Sequence, residues 1–158
     1  MELPKRKNTR LKDYDYSQNG AYFITICTQD KKHLLGEIVG EENLDEPSVG
    51  ANCVRPQLSS SEQMVENEIA TLSKIYEGVA VDKFVIMPNH IHMILVIDCE
   101  GGRTQFVPTT SRIVKQFKGI ITKQIGTSIW QRSYHDHIIR NENEYQEIWQ
   151  YIDGNPAR

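Results

Sequence analysis

Two histidines, His90 and His92, stand one residue apart inside the most apolar run of the chain, residues 85–97. The run is short and rich in β-branched residues, which predicts a buried strand entered through a break at Pro88. Because side chains alternate between the faces of a strand, both imidazoles point the same way, about 6.6 Å apart along the backbone. Such a pair can bind one divalent metal ion. The alternative is two half-buried histidines with ordinary hydrogen-bond partners.

A second pair of residues, Tyr151 and Asn155, stands four positions apart in the last predicted helix. This spacing puts both side chains on one helical face, about 5–6 Å apart. Asn155 offers a carbonyl oxygen, and two imidazoles with one amide oxygen would leave positions on Mg²⁺ or Mn²⁺ for water and a phosphate oxygen. Beside a metal-polarised phosphodiester, the phenol of Tyr151 can attack phosphorus and form a covalent phosphotyrosine.

Each pair has a rival within the chain. The His-Asp-His run at 135–137 is a second His-x-His and could hold the metal instead, or face a substrate groove. Tyr145 is the other tyrosine of the last helix. Six positions correspond to about 240° around a helix, so only one of Tyr145 and Tyr151 can face the histidines. Trp149, which is no ligand, stands four residues after Tyr145, and this favours Tyr151.

The elements that must hold these residues follow from hydrophobic periodicity and turn signals. With a short strand at 34–39 left out, the order is βαββαβ followed by one more helix. This order indicates an α+β fold, the ferredoxin-like split arrangement of an antiparallel sheet with two helices on one face. The His-x-His strand then falls near the middle of the sheet. The last helix should lie near the other face, where the histidines could point.

Polar residues mark the starts of two predicted helices. Thr110 or Ser111 is expected to cap the second helix, whose apolar stripe begins at Ile113. Asn141 is expected to cap the last helix, with Glu144 three residues later as its capping-box partner.

A net charge of −3 conceals an uneven distribution of charged residues. Bases dominate residues 101–140 and the N-terminal arm, whereas acids are concentrated elsewhere. A basic surface on an acidic protein indicates a local site for a polyanion, although a merely solvated face is the alternative. The residues expected to contact nucleic acid are Lys5, Arg6, Lys7, Arg10, Arg112, Lys115, Lys118, Lys123, Arg132 and His137.

The length of 158 residues suits a single domain over 1–158, with a basic arm at 1–20 and a flexible acidic loop at 40–60. The 39% hydrophobic and 25% charged content is ordinary for a soluble protein. We expect neither a membrane span nor a signal peptide, since the required apolar runs are missing from the sequence. The three cysteines lack Cys-x-x-Cys spacing, which favours reduced thiols in a cytoplasmic protein over a zinc ribbon.

Two motifs carry a resemblance to a known family. Met-Pro-Asn-His-Ile-His at 87–92 and Tyr-Ile-Asp-Gly-Asn-Pro at 151–156 resemble the paired motifs of the single-tyrosine HUH transposases. Residues 10–28 and 130–140 resemble more specifically the REP-associated tyrosine transposase branch. The resemblance runs in order along the chain apart from the loop at 40–60. Family members usually continue past Asn-Pro, a further departure.

The resemblance implies metal ligation by His90, His92 and Asn155, and a nucleophilic Tyr151. It implies a Mg²⁺- or Mn²⁺-dependent enzyme that cuts single-stranded DNA near a hairpin. The sequence leaves a monomer and a homodimer equally open. The products would be a 5′-phosphotyrosine and a free 3′-OH. Two other classes stay open: a non-catalytic nucleic-acid-binding regulator on the same scaffold, and a small metal hydrolase, although no carboxylate base stands near the histidines in sequence. A covalent adduct with hairpin DNA would separate the three.

Overall fold

A computed structural model describes residues 11, 13–15, 18–35, 60–98 and 108–155. Within these ranges the chain forms an antiparallel sheet and three α-helices, with a 3₁₀ turn at Gln29–Lys31 after the first strand. The strands are β1 (Gly20–Cys27), β2 (Val79–Met87), β3 (His90–Ile97) and β4 (His135–Ile139). The helices are α1 (Ser60–Ile75), α2 (Thr110–Ile125) and α3 (Glu142–Gly154). None of these helices combines the length and the apolar character needed to cross a membrane.

The strand order β2-β3-β1-β4 is the ferredoxin-like one, with the His-x-His strand β3 in the interior of the sheet. Every neighbouring pair is antiparallel. Both sides of β3 are therefore hydrogen-bonded, and its backbone has little freedom to move. The predicted α+β class and the split βαββαβ order with an added C-terminal helix are confirmed.

The two faces of the sheet carry different helices. On one face α1 and α2 cover the main core, to which Ile24, Ile91 and Leu95 contribute fully buried side chains. Complete burial of such a side chain is worth about 1.5–3 kcal/mol. On the other face α3 packs over Phe23 and Ile94 through a smaller apolar cluster. The prediction that the last helix lies opposite the two covering helices is confirmed.

Helix α2 begins one residue earlier than the sequence indicated. Its N-cap is Thr109, whose hydroxyl accepts from the backbone N–H of Arg112, and not Thr110 or Ser111. Thr110 is already in the first turn of the helix, and its buried hydroxyl lies 3.2 Å from that of Tyr134. The helix ends at Ile125, and its C-cap Gly126 has a left-handed φ of 91° that glycine adopts without strain.

The short strand predicted at 34–39 is wrong for the part of it that the structure describes. Leu34 and Leu35 belong to no strand, and the buried Leu35 donates its backbone N–H to the carbonyl of Pro88 over 2.9 Å. The Leu35 side chain joins the main core, and the turn between β2 and β3 provides the acceptor for its backbone N–H. Residues 36–39, the loop predicted at 40–60 apart from Ser60, and most of the arm at 1–20 lie outside the described residues.

Candidate active site

His90 and His92 share the sheet face that α3 covers. Their ring centroids lie 4.6 Å apart, with the rings inclined at 68°. His92 is buried, with 8% of its surface exposed, whereas His90 at the start of β3 is half-buried. The sequence prediction that both imidazoles leave the core together is confirmed, because the intervening Ile91 is fully buried on the other face.

Each imidazole is held through its Nδ1 atom. His90 Nδ1 lies 2.6 Å from Asn89 Oδ1, and His92 Nδ1 lies 2.9 Å from Thr25 Oγ1 on the neighbouring strand β1. In the orientation of Asn89 that turns its carbonyl oxygen to the ring, the Nδ1 of His90 carries the proton in that bond and its Nε2 keeps a lone pair. If His92 is also protonated at Nδ1, the hydroxyl oxygen of Thr25 is the acceptor of that hydrogen bond.

Burial keeps both histidines neutral near pH 7. It lowers the pKa of His92 from 6.5 to about 4, with the neighbouring His90 as the second cause. The pKa of His90 is also lowered, first by burial and then by the positive charge of Lys31. A metal ion binds only the neutral form of an imidazole. The low pKa values therefore mean that protons do not compete for these two side chains at neutral pH.

The turn that leads into β3 is clamped by the segment that follows β1. Asn89 O accepts from the backbone N–H of Thr28 over 2.9 Å and lies 3.0 Å from its hydroxyl. Thr28 is fully buried and also forms an isolated bridge with Trp130. The backbone beside His90 is therefore fixed by residues about 60 positions away in sequence. Only the pairing of β1 with β3 brings them together, which the sequence did not reveal.

The ring of Tyr151 faces the histidines from α3. Its centroid lies 5.5 Å from that of His92 and 6.3 Å from that of Phe23. Phe23 in turn stacks on His92 at 5.2 Å. Tyr151 nevertheless leaves 48% of its surface exposed, so a substrate can reach it. The sequence did not place Phe23 at the site. Phe23 and Thr25 stand two positions apart on β1, so their side chains lie on the same face of the sheet.

Tyr145 occupies a different environment on the same helix. Its hydroxyl donates to the carboxylate of Asp82 on β2, and its ring packs in the apolar cluster under α3. Burial and this hydrogen bond raise the pKa of Tyr145 to about 12. Of the two tyrosines, Tyr151 is therefore the one placed beside His92, as the helical spacing predicted.

One lysine of the edge strand β2 fastens the C-terminal half of α3. Lys83 Nζ lies 2.7 Å from Asp153 Oδ1 and 4.0 Å from the centroid of the Trp149 ring. These two partners lie on either side of Tyr151 in the helix. Both contacts fix the rotation of the helix about its axis, and with it the direction in which Tyr151 points.

The N-terminus of α3 is capped as predicted, with one difference. Asn141 Oδ1 accepts from the backbone N–H of Glu144 over 2.8 Å. The carboxylate of Glu144 accepts from the N–H of Arg140 and not from that of Asn141, which moves the reciprocal bond by one residue. It also bonds His137 Nε2, and the two bonds together lower the pKa of Glu144. His137, a predicted DNA contact, thus already has an acidic partner.

Asn155 follows the last turn of α3, one turn beyond Tyr151. It keeps helical dihedral angles, and its backbone N–H donates to Ile152 O. Its side-chain Nδ2 is buried and has no hydrogen-bond partner among the residues described. A half-turn of the amide would exchange this nitrogen for the carbonyl oxygen, which can bind a metal ion. The buried end of the amide is therefore uncommitted.

The rival metal site at 135–137 is wrong as a three-residue set. His135 and His137 pair across to Thr25 and Phe23, on the α3 face, whereas Asp136 alternates to the opposite face of β4. Over the ranges that the structure covers, no group of three His, Cys, Asp or Glu side chains could hold a metal ion. A site based on His90 and His92 therefore needs a donor of another type, such as an amide.

The predicted DNA-contacting bases fall into three groups. Lys5, Arg6, Lys7 and Arg10 lie outside the described residues, whereas Arg112, Lys115, Lys123 and Arg132 are exposed. Lys118 donates to the backbone carbonyls of Gln131 and Ser133 over 2.8 and 3.0 Å, and burial lowers its pKa. Lys118 therefore anchors the loop before β4, and its predicted phosphate contact stays a prediction.

The split sheet, the histidine pair on its inner strand and the tyrosine facing it from a C-terminal helix define a protein of the single-tyrosine transposase class. Residues 55–155 match the family model of the IS200-like transposases, and the chain belongs to this family. The resemblance that the sequence showed to the REP-associated branch is confirmed by the relatives that follow.

Two Haemophilus influenzae proteins are similar in sequence. One, named only as an uncharacterized protein, is 33% identical over 96% of this chain and 88% of its own length. The other, named as a REP-associated tyrosine transposase, is 25% identical over 91% of this chain and 74% of its own length. Both alignments extend over nearly the whole of the chain.

Two solved structures share the fold. A REP-associated tyrosine transposase bound to a REP hairpin superimposes with a TM-score of 0.61 at 21% identity, over 94% of this chain and 73% of its own. A Deinococcus radiodurans protein described as a transposase superimposes with a TM-score of 0.50 at 15% identity, over 92% of this chain and 95% of its own. At these identities the likeness concerns the architecture.

Proposed function

We propose that the protein is a metal-dependent single-stranded DNA endonuclease and strand transferase that cuts near DNA hairpins. The observation that carries the proposal is the half-exposed Tyr151 ring, 5.5 Å from a histidine whose neighbour on the same face is a second histidine. Membership of a transposase family supports DNA strand transfer. The relative solved with a REP hairpin supports a hairpin as the recognised feature.

The residues present fit a Mg²⁺ or Mn²⁺ ion. His90 and His92 engage their Nδ1 atoms in hydrogen bonds, which leaves two Nε2 atoms as donors. Asn155 adds an amide whose buried end has no partner among the described residues, and so can add an oxygen donor. The amide oxygen suits Mg²⁺ or Mn²⁺, the two imidazoles add nitrogen donors, and open positions remain for oxygens of the substrate. When bound, the cation would act as a Lewis acid on the phosphodiester.

Tyr151 supplies the nucleophile. Its phenolic oxygen attacks phosphorus and the bond from phosphorus to the 3′ oxygen breaks. The fragment on the 5′ side of the cut leaves with a free 3′ oxygen, and the downstream fragment stays on the enzyme through its 5′-phosphate as a phosphotyrosine. The phenolic proton passes to water and the departing 3′ oxygen takes one up, so that the step is balanced. Attack by another 3′-OH reverses the step and joins a new strand. The packing of Tyr151 near His92 and Phe23 limits the orientations from which this attack can occur.

The test is adduct formation with a library of end-labelled hairpin oligonucleotides that carry single-stranded flanks. We expect a covalent protein–DNA species with Mn²⁺, none with EDTA, and none with His90→Ala. The half-buried His90 at the start of β3 should tolerate this change better than the buried His92. Tight hairpin binding without an adduct would favour the non-catalytic regulator. Cleavage without an adduct would favour the hydrolase.

A further inference from the structure

We infer that Asn89 and Thr25 are positioning residues, which hold His90 and His92 as Nδ1–H tautomers with both Nε2 atoms turned towards the metal position. The inference rests on the proposed function for the identity of the ligand. It concerns two residues that neither the sequence motifs nor the family comparison assigned a role. Asn89 precedes β3, and Thr25 lies on β1 opposite His92.

Asn89 is held independently of the bond that it makes to His90. Its main-chain carbonyl accepts from Thr28 N–H over 2.9 Å, and the adjacent Pro88 carbonyl accepts from Leu35 N–H over 2.9 Å. Because the backbone at Pro88 and Asn89 is held by these two hydrogen bonds, the Asn89 side-chain oxygen has a fixed position beside His90 Nδ1. With the amide turned so that Oδ1 faces the ring, only the Nδ1–H tautomer of a neutral His90 satisfies the bond.

Thr25 is constrained in position, and in the tautomer that we infer its hydroxyl accepts from His92 Nδ1. It is directly opposite His92 in the β1–β3 register, and β1 is hydrogen-bonded to β3 on one side and to β4 on the other. As a β-branched residue it has few rotamers, which keeps its hydroxyl at 2.9 Å from His92 Nδ1. The ring of Phe23, stacked at 5.2 Å, limits rotation of the same imidazole. The hydrogen bond with Thr25 therefore restrains the edge of the His92 ring, and the stacked Phe23 restrains its face.

These contacts preorganise the two histidines for binding a cation. A neutral histidine that is free to exchange tautomers must select the one with a lone pair on Nε2, and that selection weakens binding. Hydrogen-bonded partners of metal-binding histidines remove this loss and typically change metal affinity by about 10–100-fold. Two such partners, one for each ring, give two independent positions at which to test the inference.

The first measurement is on the metal-free protein. Nitrogen-15 correlation spectra of the histidine side chains report which ring nitrogen carries the proton. We expect Nδ1–H for His90 and His92 in the wild type, and loss of that preference at His92 in Thr25→Val, which keeps the shape of the side chain. Asn89→Ala should do the same at His90. Unchanged tautomers in both variants would overturn the inference without reference to any activity.

The second measurement is Mn²⁺ affinity by titration calorimetry. We expect Thr25→Val and Asn89→Ala each to weaken binding about 10–100-fold, whereas Thr25→Ser and Asn89→Asp, which keep an oxygen acceptor, retain most of it. Thr71→Val is a matched control, since Thr71 makes its hydrogen bond to Glu68 O within α1. Equal affinity of Thr25→Val and the wild type would contradict the inference. Absence of Mn²⁺ binding by the wild type would count against the proposed function, while the spectra still decide the tautomers.

Discussion

The ammonium group of Lys83 lies 4.0 Å from the centre of the Trp149 ring, so that an edge strand and the C-terminal helix meet through a cation–π contact. The same ammonium group is paired with Asp153. Between Trp149 and Asp153 in sequence stands Tyr151, whose ring faces His92. The orientation of the proposed nucleophile therefore depends on a lysine that belongs to neither motif.

Lys83→Met should loosen this attachment. The substitution keeps the aliphatic stem and removes both the cation–π contact and the ion pair, so we expect the free energy of unfolding to fall by about 1 kcal/mol. Urea denaturation measures the change. Asp153→Asn, which removes only the exposed ion pair, should cost less. A Lys83→Met protein as stable as the wild type would show that the contact does not hold α3.

Tyr151→Phe should abolish covalent adduct formation while leaving stability within about 0.5 kcal/mol of the wild type, because the ring keeps its neighbours. Tyr145→Phe is the matched control. It loses the hydrogen bond to Asp82, which should reduce stability by about 1 kcal/mol, and it should still form the adduct. Peptide mapping by mass spectrometry identifies the modified residue. A nucleotide found on Tyr145 would reverse the assignment.

The free energy of unfolding of the metal-free protein should decrease as the pH is lowered, because His92 is protonated more easily in the unfolded chain. Its pKa is 6.5 before burial and about 4 in the folded chain, so protons bind the unfolded chain more tightly. The contribution is fully present above pH 6.5 and is lost as the pH falls towards 4. His92→Gln should therefore show a flatter dependence than the wild type when unfolding is measured between pH 4 and 7. Parallel profiles would mean that His92 does not titrate in this window.

Hairpin binding should weaken with salt through the exposed bases. Each residue that contacts a phosphate should, when neutralised, reduce the slope of log affinity against log salt by about 1. Arg112→Gln, Lys115→Gln and Arg132→Gln test this one at a time by fluorescence anisotropy. Lys118→Met is the contrast, since its amine holds backbone carbonyls. We expect Lys118→Met to lower stability and to leave the slope unchanged. If it reduces the slope as the others do, Lys118 contacts DNA after all.

The sequence was sufficient wherever a short-range period decides the geometry. The two-residue period of a strand placed His90 and His92 on one face, and the helical period separated Tyr151 from Tyr145. It was insufficient wherever the partner is distant along the chain. Thr25 reaches His92 across 67 positions, and only the register of β1 against β3 specifies that pair.

The pattern of charged residues in the sequence also could not show which bases face solvent. Lys118 belongs to a run of bases, and its type alone suggests a phosphate contact. Whether its amine meets solvent or the carbonyls of Gln131 and Ser133 depends on how the loop before β4 folds back over α2. Similarly, Leu35 belongs to an apolar run that is typical of a strand, but its backbone N–H donates to the carbonyl of Pro88 and not to a neighbouring strand. Local sequence specifies neither of these tertiary contacts.

The position of β3 between two strands limits how the chain can change in length. One residue inserted or deleted between Pro88 and His92 would turn the following side chains to the opposite face of the sheet. At least one imidazole would then enter the apolar layer beneath α1 and α2, and a different residue would take its place beside Tyr151. Substitution can adjust this site gradually, whereas a single-codon insertion or deletion would destroy it in one step.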